Sequence, residues 1–203
     1  MPAPNSSFVL SIFTINLFID FLISGFMERK ELVMVFWNDL KLSFEQLEAI
    51  IRLLKPVVSE IFVFSKTEEG RLAAQCLCNG SYVQFGDTFP EKVHNAFLKA
   101  YMKNFDYTIF LDFTEVSLSL NPRVIREVFS FLDEKKLVVG RNEVNRMVLL
   151  GMAGFLPHVF EEKFYFEILG EPMLEERSFN KKNIIELGIS TNKRSSVVYT
   201  IKK

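Results

Sequence analysis

Asp112 closes an uninterrupted apolar run, YTIFLD at 107–112, and Glu115 follows three residues later. A carboxylate at the end of a buried strand sits where open α/β sheets receive their ligands. Further on, LVVGRNEVNRMVLLGM at 137–152 places Arg141, Asn142, Glu143, Asn145 and Arg146 between two apolar runs. The arginines there, together with Lys41 after the first apolar run, are candidates to meet an anion. Asn142, Glu143 and Asn145 could exchange hydrogen bonds with a hydroxyl-bearing ligand. Gly86 and Asp87 precede a helix start, where backbone N–H groups attract anions. Asp87 would itself repel a phosphate, so it suits a hydroxyl or a base, or simply the cap of the helix. Each position also has a plain structural use: Asp112 can cap a turn, asparagines favour turns, and surface lysines and arginines are commonly just solvated.

The elements that must position these residues follow from the switching apolar period. ELVMVFW at 31–37 reads as a first buried strand. Ser43 then opens a helix with Gln46 three places on, the capping-box spacing. Phe44, Leu47, Ile51 and Leu54 share one face of it, and Pro56 marks its end. EIFVFS at 60–65 is a second strand, 67–77 a short helix, and SYVQF at 81–85 a third strand. A long helix is expected over 90–104, capped by Thr88 or Asp87, with proline in its first turn.

The run at 107–112 is apolar enough to be buried on both faces, as a central strand would be. Asn121 and Pro122 start a helix carrying Val124, Ile125, Val128, Phe129 and Leu132 at helical spacing. Strands at 136–140 and 147–153 and a short helix at 157–162 follow. A helix over 180–187 and a strand at 195–201 end the chain. Strands alternating with helices predict an α/β domain with a mainly parallel, mixed sheet and helices on both faces, Rossmann-like in kind.

Composition bounds the function. The 203 residues suit one domain, and 49% hydrophobic with 24% charged residues describes a folded globular chain. With 24 Lys+Arg against 25 Asp+Glu the net charge is −1, so no basic field exists to hold a phosphate backbone, and nucleic acid is excluded as a partner. The 22 phenylalanines read mainly as core filling. Cys76 and Cys78 are too close in sequence for an unstrained disulfide. A Cys/His metal site would need more than the distant His94 and His158. Two small buried side chains in a reduced, cytoplasmic protein are expected.

Residues 8–26, FVLSIFTINLFIDFLISGF, stand apart. They are long enough to cross a bilayer at about 1.5 Å rise per residue. A membrane anchor would carry Asn16 and Asp20 into the hydrocarbon, at about 2.5–3.5 kcal/mol for a central Asp. A secretory signal would want a basic lead and a small-residue cleavage site, and neither is present. The third reading starts translation at Met27, whose ERKELVMVFW is a common opening of a cytoplasmic α/β domain. These readings divide the chain into a hydrophobic extension, 1–26, and an α/β domain, 27–203.

From about residue 31 to 160 the ordered landmarks resemble the glycosyltransferase-A-like (GT-A-like) nucleotide-diphospho-sugar transferase superfamily. The nearest likeness is to a small prokaryotic group of transferases related to cofactor guanylyltransferases. Gln84-Phe85-Gly86-Asp87, then Glu91-Lys92-Val93 and Ala96-Phe97, resembles that group's Gln-x-Gly-Asp-Leu-Gly-Glu-Arg-Met…Ala-Phe segment, with one extra residue here. Ile109 to Asp112 resembles the segment where members carry Gly-Ser-Asp before Cys-Pro or Ser-Pro. Val138-Val139-Gly140 and Leu149-Leu150-Gly151 match the strands around the group's Gly-Pro-x-x-Asp-Gly-Gly-Tyr-Tyr-Leu-x-Gly signature, and Phe155 to Phe160 resembles its Pro-x-Leu-Phe helix.

The chain also departs from the pattern. Val144-Asn145-Arg146-Met147-Val148 stands where members carry Asp-Gly-Gly-Tyr-Tyr. Asn38-Asp39-Leu40-Lys41-Leu42 stands where they carry a glycine and a basic Lys-Thr-Arg run. The connection from Asp112 to Pro122 is longer than theirs.

The resemblance implies a nucleotidyl- or glycosyl-transferase that binds a nucleotide or nucleotide sugar. In such proteins a carboxylate at the end of the central strand binds a divalent ion, magnesium or manganese, which neutralises the diphosphate. Asp112 would be that ligand, with Glu115 as its catalytic companion. Gly86, Asp87, Lys41, Arg141, Asn142, Glu143, Asn145 and Arg146 would bind substrate. Loss of the phosphate run and of Asp-Gly-Gly leaves a second expectation open, a catalytically degenerate fold kept for binding or assembly.

Overall fold

A computed structural model describes residues 29–113, 121–141, 147–161 and 184–188, the last segment as backbone alone. Among the described residues seven strands form one sheet in the order β3-β2-β1-β4-β6-β5-β7. They are β1 (Glu31–Trp37), β2 (Glu60–Ser65), β3 (Gly80–Val83), β4 (Tyr107–Asp112), β5 (Leu137–Arg141), β6 (Met147–Ala153) and β7 (Ile184–Gly188). Only β6 runs against its neighbours, so the sheet is mixed and mainly parallel, as the alternation predicts. β4 is the middle strand, and its interior residues Thr108 to Leu111 are buried.

Four helices pack on the two faces: α1 (Phe44–Leu54), α2 (Glu68–Ala74), α3 (Phe89–Met102) and α4 (Pro122–Glu134). The capping box predicted at Ser43 forms, Ser43 N–H donating to Gln46 Oε1 at 2.8 Å. α4 starts as expected, with Asn121 Oδ1 accepting from Arg123 N–H at 2.9 Å and Pro122 where a missing N–H costs nothing. Its buried residues are the five the sequence places on one face, Val124, Ile125, Val128, Phe129 and Leu132. α4 sits directly on β6, since a Cβ at Gly151 would lie 2.9 Å from Val128 Cγ1.

Side-chain alternation along the strands divides the core. Val33, Val35, Ile109, Leu111 and Val138 pack with α1 and α4, while Leu32, Met34, Phe36, Phe110 and Val139 pack with α3 and a 3-10 turn at Pro157–Phe160. Burying a phenylalanine contributes about 1.5–3 kcal/mol, and four of them, Phe36, Phe64, Phe89 and Phe110, form one cluster on the α3 side. Phe36 lies 4.8 Å from Phe110 and 5.2 Å from Phe64 between ring centroids, and Phe89 lies 5.9 Å from Phe110.

Several expectations are corrected. Residues 184–187 form part of a strand and not a helix: IIEL pairs in parallel with β5, where two adjacent β-branched residues favour the pleated geometry. The third strand ends at Val83, because Gln84 turns its amide back onto the neighbouring strands. Cys76 is exposed and Cys78 half-buried, both free, because the chain leaves the core after α2. The extension at 8–26, the strand at 195–201, and Glu115, Asn142, Glu143, Asn145 and Arg146 lie outside the described residues. Among the described residues no helix is long and apolar enough to cross a membrane.

Candidate functional site

β1 to β5 all point their carboxyl ends at one rim, because β6 reverses the chain between β4 and β5. Asp112, Arg141 and Met147 therefore share that rim. Register places them level: Leu111 pairs with Leu149, and Leu149 with Gly140, so the next residues, Asp112 and Arg141, end their strands together. With β6 between them the two positions are about 10 Å apart, twice the usual strand spacing. The connection 142–146 leaves and rejoins the sheet at this same edge, between Arg141 and Met147. A bulge sits at its foot, where Gly140 pairs with Leu149 but Arg141 skips to Met147.

Asp112 is partly buried and stands beside Phe36 of β1. Alternation turns it to the α3 side, above the phenylalanine cluster. Arg141 is 9% exposed, an unusual burial for a guanidinium, and neither it nor Asp112 is without an interaction partner. A low-dielectric rim holding one acid and one fixed cation can orient a ligand that carries both charges.

The other half of the rim is built from β1, β2 and β3, where Asp39, Gln84 and Glu91 are engaged with neighbouring groups while the buried Asn38 Oδ1 has no hydrogen-bond partner among the described residues. Asp39 accepts from Lys66 N–H at 2.8 Å, from Thr67 N–H at 3.2 Å and from the Thr67 hydroxyl. Gly70 makes room for this carboxylate, since a Cβ there would lie 2.6 Å from Asp39 Cγ. Gln84 donates its side-chain amide to Phe64 O at 3.0 Å and Trp37 O at 3.4 Å, tying together the ends of β1 and β2. Trp37 Nε1 donates to Leu42 O at 3.1 Å and closes the turn that carries Lys41, which is itself exposed.

Gly86 takes φ +127°, a conformation only glycine adopts readily, and a Cβ there would meet Glu91 Cβ at 2.8 Å. Thr88, not Asp87, caps α3. The N–H groups of Asp87 and Thr88 donate to Glu91 Oε2 at 2.8 and 3.1 Å. Those bonds, Thr88's first and then Asp87's, hold the Glu91 carboxyl below the usual carboxylate range. The helix start expected to attract an anion thus already holds one of its own.

The sequence-predicted residues fall into three sets. Asp112 and Arg141 meet at one part of the rim. Lys41, Gly86 and Asp87 border the self-bonded part. The remaining five lie outside the described residues. Asp39, Gln84 and Glu91 organise the rim, and the expectation omits them. Thr88-x-x-Glu91 is a legible capping-box spacing that would have found Glu91. Asp39 has no local signal, because its partners lie 27 and 28 residues away.

The donor set fits a divalent ion in one way only. Among the described residues no three His, Cys, Asp or Glu side chains come together. Asp112 alone gives an ion one carboxylate, which suits a site whose remaining ligands are substrate phosphates and water.

The chain has a GT-A-like fold, shared with solved structures of nucleotide-diphospho-sugar transferases. It is similar in structure to a protein of Desulfovibrio desulfuricans G20 assigned as a nucleotide-diphospho-sugar transferase, with a TM-score of 0.61 and 10% identity, over 80% of this chain and 81% of that one. It is also similar to glucosyl-3-phosphoglycerate synthase of Mycobacterium tuberculosis in complex with Mn2+, uridine diphosphate and glucosyl-3-phosphoglycerate, at a TM-score of 0.53 and 11% identity, over 86% of this chain and 72% of that one. The same synthase is also seen with Mn2+ and UDP-glucose. By sequence, no family model and no curated protein matches.

Proposed function

We propose that this chain is a divergent nucleotidyl- or glycosyl-transferase-like protein that binds a nucleotide or nucleotide sugar at the Asp112–Arg141 part of the rim. The observation that carries this reading is that Asp112 and Arg141 end β4 and β5 at nearly the same level on either side of β6. A magnesium or manganese ion, when bound, neutralises the diphosphate and eases departure of the leaving group. Asp112 supplies carboxylate oxygens for the ion and sets where the diphosphate lies. Glu115, three residues downstream, adds a second acid to the same end of β4. Arg141 offers a positive charge to a phosphate oxygen, with Arg146 and Lys41 as further candidate cations for it. Asn142, Glu143 and Asn145 hold hydroxyls of the sugar. Gly86 and Asp87 border the base or ribose. The domain comprises residues 27–203, with 1–26 as a separate extension. A cytoplasmic setting is part of this reading.

The self-bonded β1–β2–β3 rim favours a second reading, in which the fold is kept for binding or assembly and catalysis is lost. Asp39, Gln84 and Glu91 occupy donors and acceptors that a nucleotide would otherwise use.

A thermal-shift panel of nucleotides and nucleotide sugars, with and without manganese, separates the two. Under the first reading at least one nucleotide raises the midpoint in a manganese-dependent way, reflecting about 2.7 kcal/mol of added stability at a hundredfold excess over Kd. Asp112→Ala removes the manganese dependence. Silence across the panel supports the second reading and ends the first.

A further inference from the structure

Six large apolar side chains stay exposed among the described residues; Leu40, Leu72 and Tyr101 lie outside the cleft beside α3, and the other three share it. Val83, Phe85 and Met102 line a single cleft beside α3, and Phe85 and Met102 are 78% and 74% exposed. The cleft has a volume of about 520 Å³ and lies between α3 and β3, the strand at one end of the sheet order. Exposed apolar surface this concentrated marks an interaction site more often than it marks chance. Lys92, Lys99 and Lys103 line the same cleft, and no acidic residue does. Lys99 Nζ sits 4.0 Å from the centroid of the Tyr82 ring, which holds one ammonium over the aromatic wall. None of the three lysines takes part in an ion pair among the described residues.

Spacings of seven and eleven residues keep the lysines on one side of α3, spanning about 16 Å, the length of about five extended residues. Among the described residues β3 has a hydrogen-bonded neighbour on one side only, so an extended backbone can run alongside it. A single-stranded nucleic acid would also meet lysines and rings. A net charge of −1 and the aliphatic Val83 and Met102 favour peptide side chains instead.

We propose that this cleft docks an extended acidic peptide segment of a partner protein, its apolar side chains against Phe85 and Met102 and its carboxylates facing Lys92, Lys99 and Lys103. The proposal does not depend on the nucleotide reading.

Fluorescence polarisation of the full chain with a fluorescein-labelled octapeptide, Asp-Phe-Asp-Val-Asp-Phe-Asp-Val, tests it. Saturable binding is expected, weakening with added salt and by about tenfold or more in Lys92→Glu/Lys103→Glu. Phe85→Ser is expected to weaken it by about fivefold or more. All these residues are surface positions, and unchanged circular dichroism confirms that each variant folds. Absence of saturable binding overturns the proposal, as does equal binding of the peptide with lysines replacing its aspartates. So does tighter binding of an oligothymidylate of the same length. Self-association abolished by Phe85→Ser would assign the cleft to a second copy of the chain. Displacement of the peptide by UDP with manganese would assign it to the nucleotide site.

Discussion

The two halves of the carboxyl rim differ in how their polar groups are partnered. On the β1–β2–β3 half, Asp39 ties the end of β1 to the start of α2, Gln84 ties β1 to β2, and Glu91 fills the start of α3. Beneath them lie the packed rings of Phe36, Phe64, Phe89 and Phe110. On the β4–β6–β5 half, an acid and a buried guanidinium end the two strands that flank β6, with a bulge where β5 meets β6. On the first half Asp39, Gln84 and Glu91 hold strands and helices together, while the second sets an acid and a buried guanidinium at strand ends two strands apart. One sheet can thus carry two differently built halves of the same rim.

Substitutions should separate the halves, and the largest effect is expected in the ring cluster. Phe36→Ala should cost about 3–5 kcal/mol in urea unfolding, because it empties the centre of four packed rings. A loss under about 1 kcal/mol would mean that the cluster is loosely packed and the half is not closed. Asp39→Ala comes next, at about 1–3 kcal/mol, since it leaves the two N–H groups and the hydroxyl of the Lys66–Thr67 turn without their acceptor. Thr88→Ala, which removes the cap of α3, should cost about 1 kcal/mol.

Asp112→Asn, a swap of equal size at a partly buried rim position, should change the stability of the free chain by about 0.5 kcal/mol or less. It should still abolish any manganese-dependent nucleotide shift. A large loss of stability in the free protein would place Asp112 with the structural half.

Acid titration sharpens the contrast further. The Glu91 carboxyl is depressed by the N–H groups of Thr88 and Asp87, so its contribution is fully present above the ordinary value of 4.5 and is lost as pH falls through its lower folded value. Between about pH 5 and pH 3 the wild-type midpoint should therefore fall more steeply than that of Glu91→Gln. Parallel curves would show that the carboxylate does not hold the helix start.

Much of this architecture is written locally in the chain. The apolar runs give six of the seven strands, the 3.6-residue stripe gives the buried face of α4, and Ser43, Thr88 and Asn121 mark helix starts, because period and capping depend on residues a few places apart. The strand at Ile184–Gly188 was not legible: IIEL suits a helix or a strand, and only β5 waiting at the sheet edge decides between them. Asp112 announces itself as a strand end for the same local reason. Its distance from Arg141 does not, since that rests on β6 reversing direction and on register across three strands. The closure of the other half was equally hidden: Asp39 and Thr67 are 28 residues apart, and Gln84 reaches carbonyls 20 and 47 residues back. The sequence by itself determined which segments could be strands and helices and which side chains could carry charge. Tertiary structure alone decided which of those charges hold the sheet and which end together at its rim, because partners distant in sequence are chosen only when the strands are aligned.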